Sequence, residues 1–230
     1  KKEHLYDDGK LKLLKFAAVY GANASGKSNL VKAMDLMRRI VLGGLPEGHT
    51  EKYCKVDPEN KNKPSYFEIE IKLGEKYYSY GFEVVLSQSR FISEWLVELH
   101  ADNTEKELFT RNIEDGTYCF GGDLNRKGLK ERLEVYADDV SDNESVLFLT
   151  IMNQNKKNVY SKYKSAMSLN NVYAWIRDSF AIIYPDQPLS MYEYLSKTEQ
   201  TDEICKLISA FGTGITDFKI VKVDIEQITT

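Results

Sequence analysis

The residues of this chain that are best suited to chemistry are eight consecutive ones, Gly21 to Ser28, which read Gly-Ala-Asn-Ala-Ser-Gly-Lys-Ser. They match the phosphate-binding pattern G-x-x-x-x-G-K-[ST] at every fixed position. Gly21 and Gly26 permit the backbone turns that bring successive N–H groups around a β-phosphate, and the helix that follows directs its positive end at the same anion. The octet therefore predicts a site for a nucleoside triphosphate.

Individual side chains of this loop have separate predicted roles. The Lys27 ammonium should reach the β- and γ-phosphates and stabilise charge on the transferred group, which makes it the predicted catalytic residue. The Ser28 hydroxyl should coordinate a magnesium ion that bridges those phosphates, so the predicted cofactors are ATP and Mg²⁺. The predicted nucleotide-binding set is Gly21, Ala22, Asn23, Ala24, Ser25, Gly26, Lys27, Ser28 and Asn29.

The flanks of the loop predict the elements that must position it. Leu13 to Tyr20 is a short apolar run typical of a buried strand. Asn29 to Leu42 repeats apolar residues at helical spacing, which predicts a helix whose apolar face packs on a sheet and which ends at Gly43 and Gly44. Strand, glycine loop and helix in this order are the context in which the pattern forms a phosphate site.

Length and composition indicate a globular protein with a sizeable core. The chain has 230 residues, of which 42% are hydrophobic and 29% charged. Its net charge of −4 argues against indiscriminate nucleic-acid binding. No apolar run approaches the length of a membrane span, so we expect a cytoplasmic protein with no membrane partner. Because the chain opens on Lys1, we also expect it to be a piece of a longer protein.

The cysteines and histidines predict neither disulfides nor a zinc site. Cys54, Cys119 and Cys205 are odd in number and far apart, which is typical of reduced thiols in the cytosol. The three histidines are equally scattered, so no ligand spacing for zinc arises.

A β-rich section follows a polar connection that ends at Pro64. Apolar residues alternate with polar ones over short runs, which predicts an antiparallel meander of strands joined by turns. The runs are 67–73, 77–86, 91–99, 108–111 and 117–120. From this alternation we expect six apolar side chains to point inward: Phe67, Ile69, Ile71, Trp95, Val97 and Leu99.

After Gly121 the pattern becomes helical. Helices are predicted around Leu129 and Leu133, over an apolar block at 145–152, and over 172–180, where a short buried strand at 180–184 should follow. A last amphipathic helix around 204–211 should lead into a strand at 215–225. The predicted domains are 1–64 with the loop and its helix, 65–122 as a β-lobe, and 123–230 as a helical lobe with the start of the remaining core.

Two groups of residues leave nucleic acid open as a partner. The tyrosines at 77, 78 and 80 could stack on bases, although aromatic residues at alternating positions are also what strands prefer. A basic cluster could face a polyanion, although a solvated helix face is the simpler explanation. The cluster consists of Lys156, Lys157, Lys162 and Lys164.

The loop with its flanks, Phe16 to Leu30, resembles the first part of an ABC-type ATPase head, as in the SMC, RecF and OLD proteins. It resembles still more closely the ATP-binding proteins of bacterial phage-defence operons, of the RloA and AbiL kind. The similarity continues in the tyrosine-rich hairpin and at 145–150, 172–176 and 213–218. It implies an α/β fold, namely a P-loop NTPase core of ABC-ATPase type with an antiparallel β-lobe and a helical lobe.

The resemblance also implies a second magnesium ligand. In such heads a glutamine after the β-rich lobe ligates the metal and senses the γ-phosphate, and Gln154 falls where that residue should be. A polar amide just after an apolar block suits a loop that faces magnesium. An exposed glutamine at the end of a helix is the alternative.

The chain departs from this family in the groups that complete hydrolysis. ABC-type heads cleave ATP between two protomers with a signature serine-glycine segment, a Walker B Asp-Glu pair and a switch histidine, none of which we find here. The two segments that most resemble a Walker B motif end at Asp186 and Asp224. A buried strand that ends in a turn explains each of these segments equally. We therefore expect the catalytic base to lie in sequence beyond this segment.

Three functions remain after this comparison. The resemblance implies an ATPase that forms a homo-oligomer by ATP-dependent head pairing and so controls an effector, a nuclease or toxin, in phage defence. A first alternative is a module that uses ATP without hydrolysis to hold an assembly together. A second is a P-loop kinase, but such enzymes cover the phosphates with an arginine-rich lid, and the arginines near the loop are Arg38 and Arg39 on its own helix.

Overall fold

The computed structural model describes residues 4–9, 12–100, 102, 104–141, 143–184, 201–212 and 214–217. The chain divides into two compact units, Lys1–Ile182 and Ile183–Thr230. None of the helices in the described ranges is long and apolar enough to cross a membrane.

A five-stranded antiparallel sheet forms the first unit's β-lobe, and its strands follow one another in chain order. They are β3 (Ser65–Leu73), β4 (Lys76–Val85), β5 (Arg90–Leu99), β6 (Glu105–Asn112) and β7 (Thr117–Phe120). This meander confirms the antiparallel sheet predicted from the short alternating runs. Its inner face is apolar, because the cross-strand residues Tyr80, Leu96 and Phe109 are all fully buried.

The prediction of which β5 side chains face the core was wrong, because β5 contains a β-bulge. Phe91 pairs with Val84 and Ser93 pairs with Glu83, which leaves Ile92 as an extra residue. Because one extra residue inverts the alternation of side chains, the strand buries a different set of residues from the one expected. The inner face of β5 carries Phe91, Glu94, Leu96 and Glu98, whereas Trp95, Val97 and Leu99 lie on the opposite face, half-buried. On β3, Phe67, Ile69 and Ile71 do pack against the core, as predicted.

Gly81 of β4 lies opposite Trp95, where the strands leave no room for a side chain. A Cβ at Gly81 would lie 2.3 Å from the Trp95 ring and 2.6 Å from the carbonyl oxygen of Phe67. Both neighbours are rigid, so a substitution has to displace either the ring or the backbone.

We expect Gly81→Ala to lower the free energy of unfolding by about 1–3 kcal/mol, because overpacking forces such displacements. Urea denaturation of the two proteins measures the difference. Gly43→Ala is the matched control, since the last residue of the loop's helix has open space at its Cβ position. Equal stability of the Gly81 variant and the parent would contradict this packing.

The helices of the first unit pack on one another. They are α1 (Lys27–Gly43), α2 (Lys130–Asp138), α3 (Phe148–Asn153), α4 (Lys157–Lys162) and α5 (Met167–Asp178). Phe148 of α3 packs on the sheet against Phe109. α1 confirms the helix predicted after the loop, and Gly44 ends it with φ 84° and an N–H bond to the Ile40 carbonyl. Leu129 and Leu133 are fully buried, as their spacing predicts.

Only the second half of α1 is buried. Leu36, Met37, Ile40 and Val41 belong to the core, whereas Leu30, Val31 and Met34 in the first half are exposed. The helix therefore does not press its whole apolar face on the sheet, which corrects that expectation.

The strand predicted before the loop is also different. β1 (Leu5–Asp7) pairs antiparallel with β2 (Lys12–Leu14), and residues 16–20 belong to no strand. Phe16 and Tyr20 are 75% and 90% exposed. A buried strand needs neighbours along its edges and over its faces, and in the described part of the chain β1 pairs with residues 12–14 and not with 16–20.

At the other end of the first unit, the strand predicted at 180–184 is irregular. Phe180 stacks instead on Trp175 of α5, with 5.5 Å between ring centroids. In the second unit, α6 (Thr201–Ala210) confirms the last amphipathic helix. Most of the strand predicted at 215–225 lies outside the described residues, as do Asp186 and Asp224.

Candidate nucleotide-binding site

The phosphate loop is an exposed turn that leads directly into α1, which begins at Lys27. Gly26 precedes the helix with φ 90°, a left-handed conformation that favours glycine. Ala24 also has a positive φ, 65°, which is uncommon without glycine and costs conformational energy. At Gly21 an added Cβ would lie 2.8 Å from the Ser25 hydroxyl oxygen. The positive φ at Gly26 thus favours glycine there, and a side chain at Gly21 would have to displace the Ser25 hydroxyl.

The Lys27 side chain folds back over this turn. Its Nζ atom donates to the carbonyl oxygens of Gly21 and Ala22, at 2.8 and 2.6 Å, and lies 3.4 Å from the Ser25 hydroxyl oxygen. The ammonium is therefore held above the loop, where it can meet a phosphate that the backbone N–H groups bind.

The beginning of α1 supplies the remaining donors. The first N–H groups of any helix have no acceptor within the helix, and its dipole places positive charge at this end. Ser28 and Asn29 are exposed in this first turn, so the Ser28 hydroxyl is accessible to a metal ion. The predicted loop residues, Gly21 to Asn29, thus lie together in one exposed turn at the beginning of α1.

Gln154, the other predicted metal ligand, follows α3 immediately. It is exposed, its N–H binds the Ile151 carbonyl, and Asn155 then turns the chain with φ 60°. Among the described residues, no hydrogen bond joins Gln154 to the phosphate loop. The structure therefore places Gln154 at the end of a helix without bringing it to the loop.

α3 is nevertheless attached to the loop's own helix. The Thr150 hydroxyl donates to the Val41 carbonyl oxygen at 2.7 Å, a bond between two buried groups. Val41 lies thirteen residues after Ser28, which is about 20 Å along α1. The segment that carries Gln154 is thus attached to α1 near the end that lies far from the phosphate loop.

The structure bears on two alternatives that the sequence left open, base stacking by the tyrosines and an arginine lid over the phosphates. Tyr78 and Tyr80 are buried in the core, and Tyr77 donates to Asp8, so these tyrosines are not a platform for stacking bases. Arg38 donates to the Ile176 and Arg177 carbonyls at the end of α5, and Arg39 pairs with Asp35. Neither arginine is placed as a lid over phosphates.

The basic cluster after α3 is partly engaged with aromatic rings. Lys156 Nζ lies 4.2 Å from the centre of the Tyr136 ring, and Lys162 Nζ lies 5.1 Å from that of Tyr163. A polyanion partner for these lysines stays a prediction. Within the described ranges, no three or more His, Cys, Asp or Glu side chains are grouped so that they could hold a metal ion.

Sequence reasoning did not predict that Glu94 and Arg111 are buried. Glu94 and Arg111 are 1% and 2% exposed and face each other across β5 and β6. Their signal in the sequence is a charged residue within a strand, but only the bulge at Ile92 shows that Glu94 points into the core.

Comparison with known proteins gives one match. Residues 16–162 match the model of the family described as "AAA domain, putative AbiEii toxin, Type IV TA system". None of the curated proteins and none of the solved structures matches the chain. The matched residues include the phosphate loop, the whole β-lobe, α3 and Gln154. Because they make up more than half of the chain, the chain belongs to this AAA family of P-loop, ATPase-like nucleotide-binding domains.

Proposed function

We propose that this chain binds ATP with Mg²⁺ at Gly21 to Asn29 and is the ATP-binding part of an ABC-type ATPase. The observation that carries the proposal is the Lys27 ammonium, which the Gly21 and Ala22 carbonyl oxygens hold over the exposed turn before α1. Family membership supports ATP and Mg²⁺ as the ligands, since ATPases of this kind bind them together.

Different groups of the chain bind different parts of the nucleotide and its metal ion. The backbone N–H groups of the loop and the first turn of α1 hold the phosphates, and Lys27 places positive charge beside the transferred group. Ser28 and Gln154 are the proposed metal ligands. Bound magnesium would neutralise charge on the phosphate oxygens.

The β-lobe supports an ABC-type head rather than a kinase. An antiparallel meander follows the P-loop helix, and both nearby arginines are occupied by partners within the fold. We propose the domain division 1–64, 65–122 and 123–230 for this architecture.

The family description, which refers to a toxin–antitoxin system, supports control of an effector. On this basis we propose a cytoplasmic ATPase that pairs its heads when ATP binds and so regulates a nuclease or toxin in phage defence, with relatives of the RloA and AbiL kind. The non-hydrolysing assembly module is the alternative.

The magnesium dependence of ATP binding tests the proposed site. We expect ATP to bind more tightly with Mg²⁺ than with EDTA, and Gln154→Ala to reduce this ratio of affinities by about tenfold, because the variant removes a metal ligand. Isothermal calorimetry in both buffers measures the ratio. Asn158→Ala, which changes an exposed amide nearby, should leave it unchanged.

A ratio that is unchanged in the Gln154 variant would return this residue to the role of an exposed amide at a helix end. ATP binding that is absent in both buffers would contradict the proposed function as a whole.

A further inference from the structure

The segment that follows α3 carries positive charge only. Residues 154–176 contain four lysines and no aspartate or glutamate, although the whole chain has a net charge of −4. Lys162 and Lys164 are exposed and Lys156 is half-buried. A solvated face of α4 would explain these lysines if they stood alone.

The lysines do not stand alone, because α2 brings positive charge to the same place. Tyr136 of α2 links the two parts of the chain: Lys156 Nζ lies 4.2 Å from the centre of its ring, and the guanidinium carbon of Arg132 lies 5.6 Å from it. Arg132 also donates to the Tyr136 hydroxyl at 2.9 Å. One tyrosine therefore holds a cation of α2 and the cation that precedes α4.

A second tyrosine joins the same two parts before α2. Lys162 Nζ lies 5.1 Å from the centre of the Tyr163 ring. The Tyr163 hydroxyl lies beside Gly128, where an added Cβ would be 3.6 Å from it. Lys127, the exposed neighbour of Gly128, is thus close to the ring that holds Lys162.

The turn that follows α4 completes this arrangement. Residues Lys164–Ala166 contact the turn Gly122–Asn125, which lies before α2. Five cations from two separate parts of the chain therefore lie around two tyrosines. We call them the basic surface: Lys127, Arg132, Lys156, Lys162 and Lys164.

The charges of the basic surface are not neutralised within the fold. Among the described residues, none of the five cations forms an ion pair. The carboxylates next to the surface have other partners, since Asp123 pairs with Arg126 at 2.8 Å, Glu134 pairs with Lys130 at 3.9 Å, and Glu131 accepts the backbone N–H of Gly128. The five cations are therefore available to an anionic partner.

We propose that the basic surface binds the phosphate backbone of a nucleic-acid duplex. Lysine and arginine bind phosphates along a duplex, and the release of counterions from the duplex drives this binding. Proteins that bind single strands stack bases on aromatic rings, whereas Tyr136 and Tyr163 carry the surface's own cations. These cation–π contacts fix the charged groups in advance, which reduces the entropy lost on binding. The inference goes beyond the proposed function and does not depend on the nucleotide site.

The test measures how a short fluorescein-labelled DNA duplex binds to the full 230-residue chain, by fluorescence anisotropy. We expect the affinity to fall steeply between about 50 and about 200 mM salt, because each phosphate contact contributes about −0.9 to the slope of log K against log salt. Lys156→Gln combined with Lys162→Gln should weaken binding by about tenfold or more and make this slope shallower by about 2, since two phosphate contacts are lost. Absence of duplex binding at about 50 mM salt would overturn the proposal.

Lys32→Gln combined with Lys52→Gln is the matched control. Both lysines are exposed and belong to other parts of the chain, α1 and the connection after it, and their loss changes the net charge by the same amount. We expect this variant to keep the affinity and the salt slope of the parent. Equal weakening in the two double variants would mean that net charge, and not the basic surface, decides the binding.

Tyr136→Leu separates the arrangement of the charges from their number. It keeps every cation but removes the ring that holds Arg132 and Lys156. We expect the affinity for the duplex to fall about two- to fivefold with little change in the salt slope, because a cation–π contact at an exposed site contributes this much. Unchanged affinity would contradict a surface whose charges are fixed in advance.

Two further probes decide between kinds of partner. A single strand of the same sequence should bind more weakly than the duplex, and a polyglutamate peptide should displace the labelled duplex far less well than unlabelled duplex does. The opposite result with either probe would replace the duplex by a single strand or by an acidic protein segment. Lys27→Ala should keep the affinity for the duplex while it loses ATP, so that failure at the nucleotide site and failure at the basic surface are distinguishable.

Discussion

Replacing Lys27 by alanine should weaken the binding of ATP with Mg²⁺ by about a hundredfold or more. The variant removes the ammonium that lies over the loop, within 2.8 Å of the Gly21 carbonyl and 2.6 Å of the Ala22 carbonyl. A hydrogen bond from a charged group contributes about 1.5–3 kcal/mol, and each 1.4 kcal/mol is a tenfold change in affinity. Calorimetric titration with ATP measures the change directly.

Lys32→Ala is the control for a general loss of positive charge. Lys32 is exposed on α1, five residues after Lys27, so its removal changes the net charge of the helix by the same amount. We expect its affinity for ATP to stay close to that of the parent. If the Lys27 and Lys32 variants bind ATP equally well, the loop is not the phosphate site.

The largest expected effect on stability follows from Arg111→Met, which should lower the free energy of unfolding by roughly 3–5 kcal/mol. Methionine fills much of the space but donates no hydrogen bonds, so the carbonyls of Val140, Asn143 and Val146 lose their partner. Glu94 also loses the positive charge across the strands, inside the core. Urea denaturation, followed by circular dichroism, gives the difference from the parent.

Arg132→Met is the matched control for this experiment. Arg132 is exposed on α2, where it donates to the Tyr136 hydroxyl at 2.9 Å. A surface change of this kind typically alters stability by no more than about 0.5 kcal/mol. A similarly small effect at Arg111 would mean that the buried guanidinium does not hold the segment before α3.

The sequence predicts local structure correctly where neighbouring residues alone decide it. α1 starts at Lys27 and ends at Gly43, next to the expected boundaries, because a glycine with positive φ on either side breaks the helical path. The meander of β3 to β7 could be predicted because short turns join strands that are consecutive in the chain. The phosphate loop could be predicted for the same reason, since its glycines and Lys27 lie within eight consecutive residues.

In contrast, those patterns could not predict which side chains of a strand face the core, or which apolar segments are buried. The expectation for Trp95, Val97 and Leu99 was wrong because a single extra residue, Ile92, inverts every side chain after it. Residues 16–20 are as apolar as a buried strand, but apolar residues are buried only where other elements cover them. Phe16 and Tyr20 are exposed because the described residues supply no such cover.

The sequence by itself therefore determined that this chain carries a phosphate loop before a helix, followed by an antiparallel sheet. Only the tertiary structure decided that Glu94 and Arg111 meet in the core and bind the segment 140–149. Their backbone partners lie 29 to 55 positions away in the chain. Every residue carries the same backbone groups, so no pattern of side chains could identify which N–H and C=O groups these two charges would bind.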